Sequence, residues 1–464
     1  MRQLPIMSSS LRSRTAKHVG DLRLRASLAH ATDTFAGRNA EAFAQFADPD
    51  TVRAAARAAK AEILRHLDRT LERLADGMEA AGATIHWAAS DDEAVSQVLR
   101  IARDKGARRA VKSKSMLSEE VGLTEALEEA GVEVTETDLG EWIIQIARER
   151  PSHIIVPAIH KDRAQIRDTL QRVAGGDLSD VPSELAAFAR RELRARFLRA
   201  DLGISGVNFA VAESGTLVLV TNEGNGRLTT SLPPIHIALL GMERVVESWA
   251  QLDLFLALLP RAATGQPITA YVSAITGPRR AGDLDGPEEL HVVIVDNGRS
   301  DLLGTEFEEM LACIRCGACL NVCPVYRQTG GHAYGWVYPG PMGAVLTPLL
   351  LESERADEVP NASSLCGACW KACPVGIPLQ DMLLALRRKA AEDAKLAERA
   401  AWGAWAAAWS RPGTYRASLR LASMAARMFE PGRIPGPPQR WALGRETPKP
   451  AKRTFRDRWH GSRG

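Results

Sequence analysis

Cys313-Ile-Arg-Cys316-Gly-Ala-Cys319-Leu-Asn-Val-Cys323-Pro324 is the stretch on which the reading of this chain turns. A second run, Cys366-Gly-Ala-Cys369-Trp-Lys-Ala-Cys373-Pro374, echoes it, and the seven cysteines of the chain all lie in these two runs. Gaps of two residues let three consecutive thiolates face one iron–sulfur core. A gap of three followed by proline turns the fourth thiolate toward a second cluster. That crossover assigns Cys313, Cys316, Cys319 and Cys373 to one cluster, and Cys323, Cys366 and Cys369 to the other. The fourth ligand of the second cluster should stand three residues before Cys366, and Ser363 stands there. Three readings stay open at that position. The cluster is three-iron; or it is four-iron with oxygen from Ser363 or water; or a partner or substrate reaches the open iron. A cubane with one non-cysteine ligand ranks ahead of the three-iron form.

A structural zinc site explains the runs less well. Zinc favours two separated Cys-x2-Cys pairs, four ligands to each ion. A disulfide framework fits less well still, because the chain is long and its thiols keep metal-type spacing. Composition sets the remaining bounds. The 464 residues suggest about two to three domains. Apolar content of 45% and charged content of 25% are ordinary for a globular protein. A net charge of +3 gives no case for nucleic acid. Arg2, Arg12, Arg14 and Lys17 make the start basic, but no apolar segment follows as a secretory signal would require. No apolar run reaches the length of a membrane span. Thiols in metal-type spacing suit a reducing compartment, so a cytoplasmic protein is expected.

Working outward from the cysteines, the segment between the runs and Leu379–Ala391 read as helices, so the cluster module over 301–395 is expected to be mainly helical. Upstream, strand patterns alternate with helical ones. Residues 51–80, the stretch opened by Ser90-x-x-Glu93, 117–130 and 183–197 read as helices. Ala110–Val111, Val132–Thr135, Ile154–Ile159, Thr216–Val220, Arg244–Val246, Ile268–Ile275 and His291–Val295 read as strands. The alternation predicts an α/β domain over 60–300 with a largely parallel sheet. Residues 1–59 form a helical or disordered lead-in, and 396–464 a Trp- and Pro-rich extension with an extended or partly ordered tail. Trp402, Trp405 and Trp409 share one helical stripe, expected to serve packing or partner docking.

Several motifs in the α/β domain are candidates for ligand contact. Lys112-Ser-Lys-Ser115 lies where a strand feeds a helix, a place suited to a phosphate or carboxylate; a solvated loop with a capping serine accounts for it equally. Glu213 precedes a buried strand. Glu223-Gly-Asn-Gly-Arg227 follows it, with glycines that can cup an anion and an arginine that can clamp a carboxylate; a turn explains the same glycines. Thr229, Thr230 and Pro233-Pro-Ile-His236 come next. His160, ending Pro157-Ala-Ile-His, sits where an α/β sheet places ligands, although a lone histidine there more often serves structure.

The chain resembles the lactate utilisation protein B family. The resemblance rests on Lys112-Ser-Lys-Ser-Met116, Glu136-Thr-Asp-Leu-Gly-Glu141, Pro151-Ser-His-Ile-Ile-Val-Pro-Ala-Ile-His160, Leu232-Pro-Pro-Ile-His236, both cysteine runs and Phe455-Arg-Asp-Arg-Trp459. It implies a lactate-utilisation domain related to the CoA-transferase and sugar-phosphate-isomerase folds, followed by a helical ferredoxin module with two clusters, expected to be [4Fe-4S]. It also implies two partners, a cysteine-rich subunit and a smaller lactate-utilisation subunit. The function expected is electron transfer within a complex oxidising L-lactate to pyruvate, toward a further acceptor. Two alternatives are kept. The chain is a catalytic subunit binding a hydroxy acid at the open iron beside Ser363, or a ligand-binding or transferase module whose clusters sense redox state.

Overall fold

The computed structural model describes residues 9–351, 353–392 and 396–428, with 455, 458 and 459. Two compact units divide it, Met1–Arg387 and Arg388–Gly464.

In the first unit ten strands are formed among the described residues. They are β1 (Thr84–Ala88), β2 (Arg109–Lys112), β3 (Glu133–Glu136), β4 (Leu202–Gly206), β5 (Phe209–Val211), β6 (Thr216–Thr221), β7 (Ile235–Gly241), β8 (Val245–Val246), β9 (Tyr271–Ile275) and β10 (Glu289–Val295). Six make one sheet in the order β1-β10-β7-β4-β2-β3, and every pairing in it is parallel. Both faces are covered, as parallel sheets require. Ile237, Leu239, Val293 and Val295 pack on one side with Val98 and Ile101 of the helix Asp91–Asp104. Ala238, Leu240, Val292 and Ile294 pack on the other, in a core that continues to Cys316, Cys323, Cys369 and Cys373. The α/β architecture and the parallel sheet are as the alternation predicts.

Four strands lie elsewhere. They form a smaller sheet in the order β8-β5-β6-β9, with β6 antiparallel to both its neighbours. Thr216–Val220 therefore belongs to this second sheet and not to the parallel one; a continuous apolar run identifies a buried strand but not its partners. Ile154–Ile159 is no strand. The His153 ring accepts the amides of Ile155 and Val156 at 3.0 and 3.2 Å, and Ser152 N donates to Pro157 O at 3.1 Å. A side chain that captures two successive amides removes them from any ladder.

Helical expectations hold with local breaks. Residues 51–80 divide at His66 into Pro49–Arg65 and Leu67–Ala80. Residues 117–130 divide into Met116–Glu120 and Leu123–Glu129 at Gly122, whose φ of 66° a helix cannot absorb. Ser90 Oγ accepts Glu93 N at 3.2 Å and starts the helix Asp91–Asp104 as read from its sequence. The lead-in is ordered as helix from Leu11 to Val19.

In the second unit, helices Leu396–Ser410 and Pro412–Met428 follow one another. Trp402, Trp405, Trp409 and Tyr415 form a ring ladder with centroids 5.8, 5.2 and 5.4 Å apart. Most of the expected tail over 430–464 lies outside the described residues.

Candidate metal centre and adjoining cavity

The two cysteine loops repeat one backbone. Arg315 and Leu365, each just before a cysteine, have φ of 57° and 55°; Gly317 and Gly367, each just after it, have φ of 76° and 77°. A positive φ at a non-glycine residue is uncommon and persists only where surrounding contacts impose it. Each loop then enters a short helix, Ala318–Asn321 or Ala368–Ala372. The same turn aims the same amide at the first residue of each loop. Arg315 N donates to Cys313 Sγ at 3.5 Å, and Leu365 N donates to Ser363 Oγ at 3.1 Å. Ser363 thus takes the place of Cys313. Arg387 fixes its backbone by donating to Ser363 O at 2.7 Å and Pro360 O at 2.8 Å.

Cys313, Cys316, Cys319 and Cys373 line one small cavity. Burial first, and Cys373 next, push the Cys316 thiol above its ordinary value. Burial lifts Cys373 to about 11, against the amide of Ile377, which reaches its Sγ at 3.4 Å. Cys323 stands apart from these. Burial raises it against the amides of Tyr326 and Val325, and Cys366 is the thiol that acts on it. Cys369 is lifted to about 11 by burial and by Cys323. Cys366 is exposed; the amide of Ala368 and the Ser364 hydroxyl lower it. Cys319 feels Cys369 as well as its own neighbours, so the two groups of thiols adjoin.

This donor set fits two iron–sulfur clusters. Buried thiolates are costly without a cation, and iron supplies one. Amides aimed at sulfur stabilise the negative charge and tune the potential. Among the described residues no three His, Cys, Asp or Glu side chains could hold a lone metal ion.

A second cavity, of about 430 Å³, opens where the carboxyl ends of β2, β4 and β7 meet. That edge of an open parallel sheet is where ligands bind. Ser113–Ser115, Gly206–Asn208 and Gly241 contribute from the three strand ends, and Arg244, Arg299 and Arg315 from beyond them. Ile154 and Arg315 line both cavities, so the larger one abuts the Cys313 loop.

Its charged wall is unevenly satisfied. Arg299 donates to both oxygens of Glu120, at 2.9 and 2.8 Å, and to Glu243 Oε2 at 2.9 Å. Arg244 gives one bond to Cys313 O at 3.2 Å and otherwise reaches Glu243 Oε1 only at 3.6 Å. Arg315 also reaches Glu243 Oε1 only at 3.6 Å, lies 4.6 Å over the Tyr338 ring, and donates to Met342 Sδ at 3.3 Å. Burial would raise the Glu243 carboxyl, but Arg299, Arg244 and Arg315 hold it down at about 2.

The sequence candidates separate accordingly. Ser113, Lys114, Ser115, Glu223 and Asn225 line the large cavity. Lys112 does not; its ammonium is buried against Glu136 at 2.8 Å, Glu119 at 3.0 Å and Ser118 Oγ at 3.0 Å. Glu213 accepts Trp249 N at 3.1 Å and is no part of the lining. Arg227 is also absent from it, within the helix Asn225–Ser231. Thr229 serves close packing, since a Cβ on Gly203 would lie 1.9 Å from its carbonyl oxygen. Thr230 bonds back to Gly226 O at 3.0 Å. His236 is buried in β7 on Ser205 Oγ at 2.8 Å. His160 bonds Ser152 Oγ at 2.7 Å and Glu149 Oε2 at 2.8 Å. Arg244, Arg299, Arg315, Glu120, Glu243 and Tyr338 were not legible as a group. Only Arg315 carries a sequence signal, its place inside a cysteine run.

Three family profiles match the chain. The LUD domain covers 71–295, the 4Fe-4S dicluster domain 309–377, and the lactate utilisation protein B C-terminal region 385–463. A "Lactate utilization protein B" of Shouchella clausii is 46% identical over 99% of this chain and 98% of its own length. One from Geobacillus kaustophilus is 49% identical over 86% of each chain. One from Oceanobacillus iheyensis is 48% identical over 85% of this chain and 84% of its own. A solved structure, a DUF162 family protein from Deinococcus radiodurans, aligns at 17% identity over 49% of this chain and 98% of its own. Its TM-score is 0.29, too slight a likeness to argue from.

Proposed function

The chain belongs to the lactate utilisation protein B family, and we propose on that premise that it relays electrons from the oxidation of L-lactate to pyruvate. It is an iron–sulfur protein of lactate utilisation with a two-cluster domain. In our reading Cys313, Cys316, Cys319 and Cys373 hold the first cluster. Cys323, Cys366 and Cys369 hold the second, with Ser363 Oγ as its fourth ligand. When bound, the clusters supply one-electron steps.

One observation carries the proposal. The thiols of the first set line one small cavity that shares Ile154 and Arg315 with the large cavity of the α/β domain, while the second set reaches the surface at Cys366. An inner site beside a ligand-sized cavity and an outer site open to solvent make the two ends of a relay. The protein's own contribution is to hold the thiolates, aim amides at them and exclude water from the inner set. The matching turns at Arg315 and Leu365 support a serine-ligated cubane over a three-iron form or an open iron.

The finer expectations are part of the proposal. The chain divides into a lead-in (1–59), a lactate-utilisation domain (60–300), a cluster domain (301–395) and an extension (396–464). It works with a cysteine-rich subunit, a smaller lactate-utilisation subunit and a separate electron acceptor, in the cytoplasm. Among the described residues no helix is long and apolar enough to cross a membrane.

Anaerobic purification with iron and sulfide analysis and electron paramagnetic resonance tests the cofactor assignment. About eight irons per chain are expected for two cubanes; colourless or zinc-loaded protein overturns the relay. Deleting the gene where no other lactate route exists should abolish growth on L-lactate, and unimpaired growth would count against the physiological role.

A further inference from the structure

Two largely covered arginines stand beside the inner thiols with incomplete partners. Arg244 follows β7 in the 3-10 turn Met242–Arg244, and Arg315 sits in the strained turn between Cys313 and Cys316. Their side chains are only 12% and 10% exposed. They share one carboxylate oxygen, Glu243 Oε1, and each reaches it only at 3.6 Å. The other oxygen of Glu243 belongs to Arg299, which also donates to Glu120 and to Asp296 O. Arginine presents a planar fork of donors, and a carboxylate fills such forks best.

Charge points the same way. At the arginine end of the cavity Arg244, Arg299 and Arg315 meet Glu120 and Glu243, three cations against two anions, while Lys114, Asp138 and Glu223 line the rest of it. Lys60 lies behind them, donating to Glu243 O at 2.8 Å. Burial first and Arg244 next push its ammonium down to about 7, against Glu243 and Cys313, which raise it. The cavity, at about 430 Å³, is in the range that holds small molecules.

We propose that Arg244 and Arg315 together bind the carboxylate of a 2-hydroxy or 2-oxo acid in the cavity at the carboxyl edge of the parallel sheet, against the Cys313 loop. This places the three-carbon acid on the present chain and so rests on the lactate-relay reading while deepening it. Only binding is assigned; no bond is made or broken in the assignment.

The test is calorimetric titration of the full-length, anaerobically purified protein with L-lactate, pyruvate and L-lactamide, alongside iron analysis and electron paramagnetic resonance. Saturable binding of L-lactate or pyruvate is expected, with at least tenfold weaker binding of the uncharged amide. Arg244→Gln and Arg315→Gln should each weaken the acid at least tenfold at unchanged iron content, and Arg244→Lys should weaken it less. Adding the acid should also change the resonance of the inner cluster. The arginines have a competing use, offsetting the negative charge of a thiolate-bound cluster and nothing more. That use gives no acid binding by wild-type protein, or equal binding of acid and amide, and either result overturns the proposal without need of a variant. Iron-loaded protein that ignores both acids sinks this inference and spares the relay. Iron-free protein that still binds the acid does the reverse.

Discussion

Glu120 receives Arg299 through both carboxylate oxygens, at 2.9 and 2.8 Å, and both side chains are almost wholly buried. Tyr338 Oη adds a bond to Glu120 Oε2 at 2.5 Å, and Asn297 Nδ2 one to Oε1 at 2.8 Å. The pair thereby joins the helix after β2, the turn after β10 and the segment between the cysteine runs. Removing one partner of such a pair strands the other charge in the interior. Arg299→Gln leaves Glu120 and Glu243 both short of a cation and should cost about 3–5 kcal/mol. Tyr338→Phe removes one bond to a charged group and should cost about 1.5–3 kcal/mol. Urea unfolding under anaerobic conditions reads both; a loss below about 1 kcal/mol for Arg299→Gln would mean water replaces the guanidinium without difficulty.

The serine at 363 makes a sharper test of the second cluster. With Leu365 N already bonded to its oxygen as Arg315 N is to Cys313 sulfur, a thiol there needs no new backbone. Ser363→Cys should keep about eight irons and change the resonance of one cluster only. Ser363→Ala should drop about one iron per chain and give a three-iron signal on oxidation. An alanine variant with wild-type iron and an unchanged spectrum would show that serine is no ligand.

His236 supplies a pH dependence. It lies 0% exposed in β7, and burial holds its imidazole down at about 3. The unfolded chain takes up this proton below about 6.5, while the folded chain refuses it. The associated stability is therefore whole above pH 6.5 and is lost as pH falls toward 3. The slope is at most about 1.4 kcal/mol per pH unit. Between pH 7.5 and 5.5, wild-type protein should lose about 1 kcal/mol more than His236→Gln. Parallel urea midpoints for the two proteins across that range would mean the histidine carries no such linkage.

The metal centre was legible because its chemistry dictates spacing. Thiolates must converge, so Cys-x2-Cys-x2-Cys-x3-Cys-Pro survives as a pattern along the chain. The serine could be found the same way, by counting back from Cys366. The sheet was legible where strands alternate with helices, but β1, β4 and β7 were missed, as was β5 of the smaller sheet. Every residue of β7 is buried, so no alternation marks it, and its His236, one of the candidates for ligand contact, packs inside the sheet. The cavity wall was illegible for a different reason. Glu120, Glu243, Arg299, Arg315 and Tyr338 are far apart in sequence, and each alone is an ordinary charged or aromatic residue. Their meeting depends on the crossover order β10-β7-β4-β2, which local pattern does not encode.

Gly317 and Gly367 separate backbone strain from crowding. Both follow a cysteine at almost the same positive φ, 76° and 77°. Alanine at either pays the left-handed penalty, about 1–2 kcal/mol. At Gly367 a Cβ meets nothing within 4 Å, whereas at Gly317 it would lie 3.1 Å from both His153 Cε1 and Ile155 Cγ1. Those atoms belong to the turn that His153 ties down through the amides of Ile155 and Val156, so they have little room to retreat. Gly367→Ala should retain its iron and lose only the strain energy. Gly317→Ala should be destabilised further and lose iron faster from the inner site when challenged with a chelator. Equal stability and equal iron retention in the two variants would show that the inner loop is not clamped by the His153 turn.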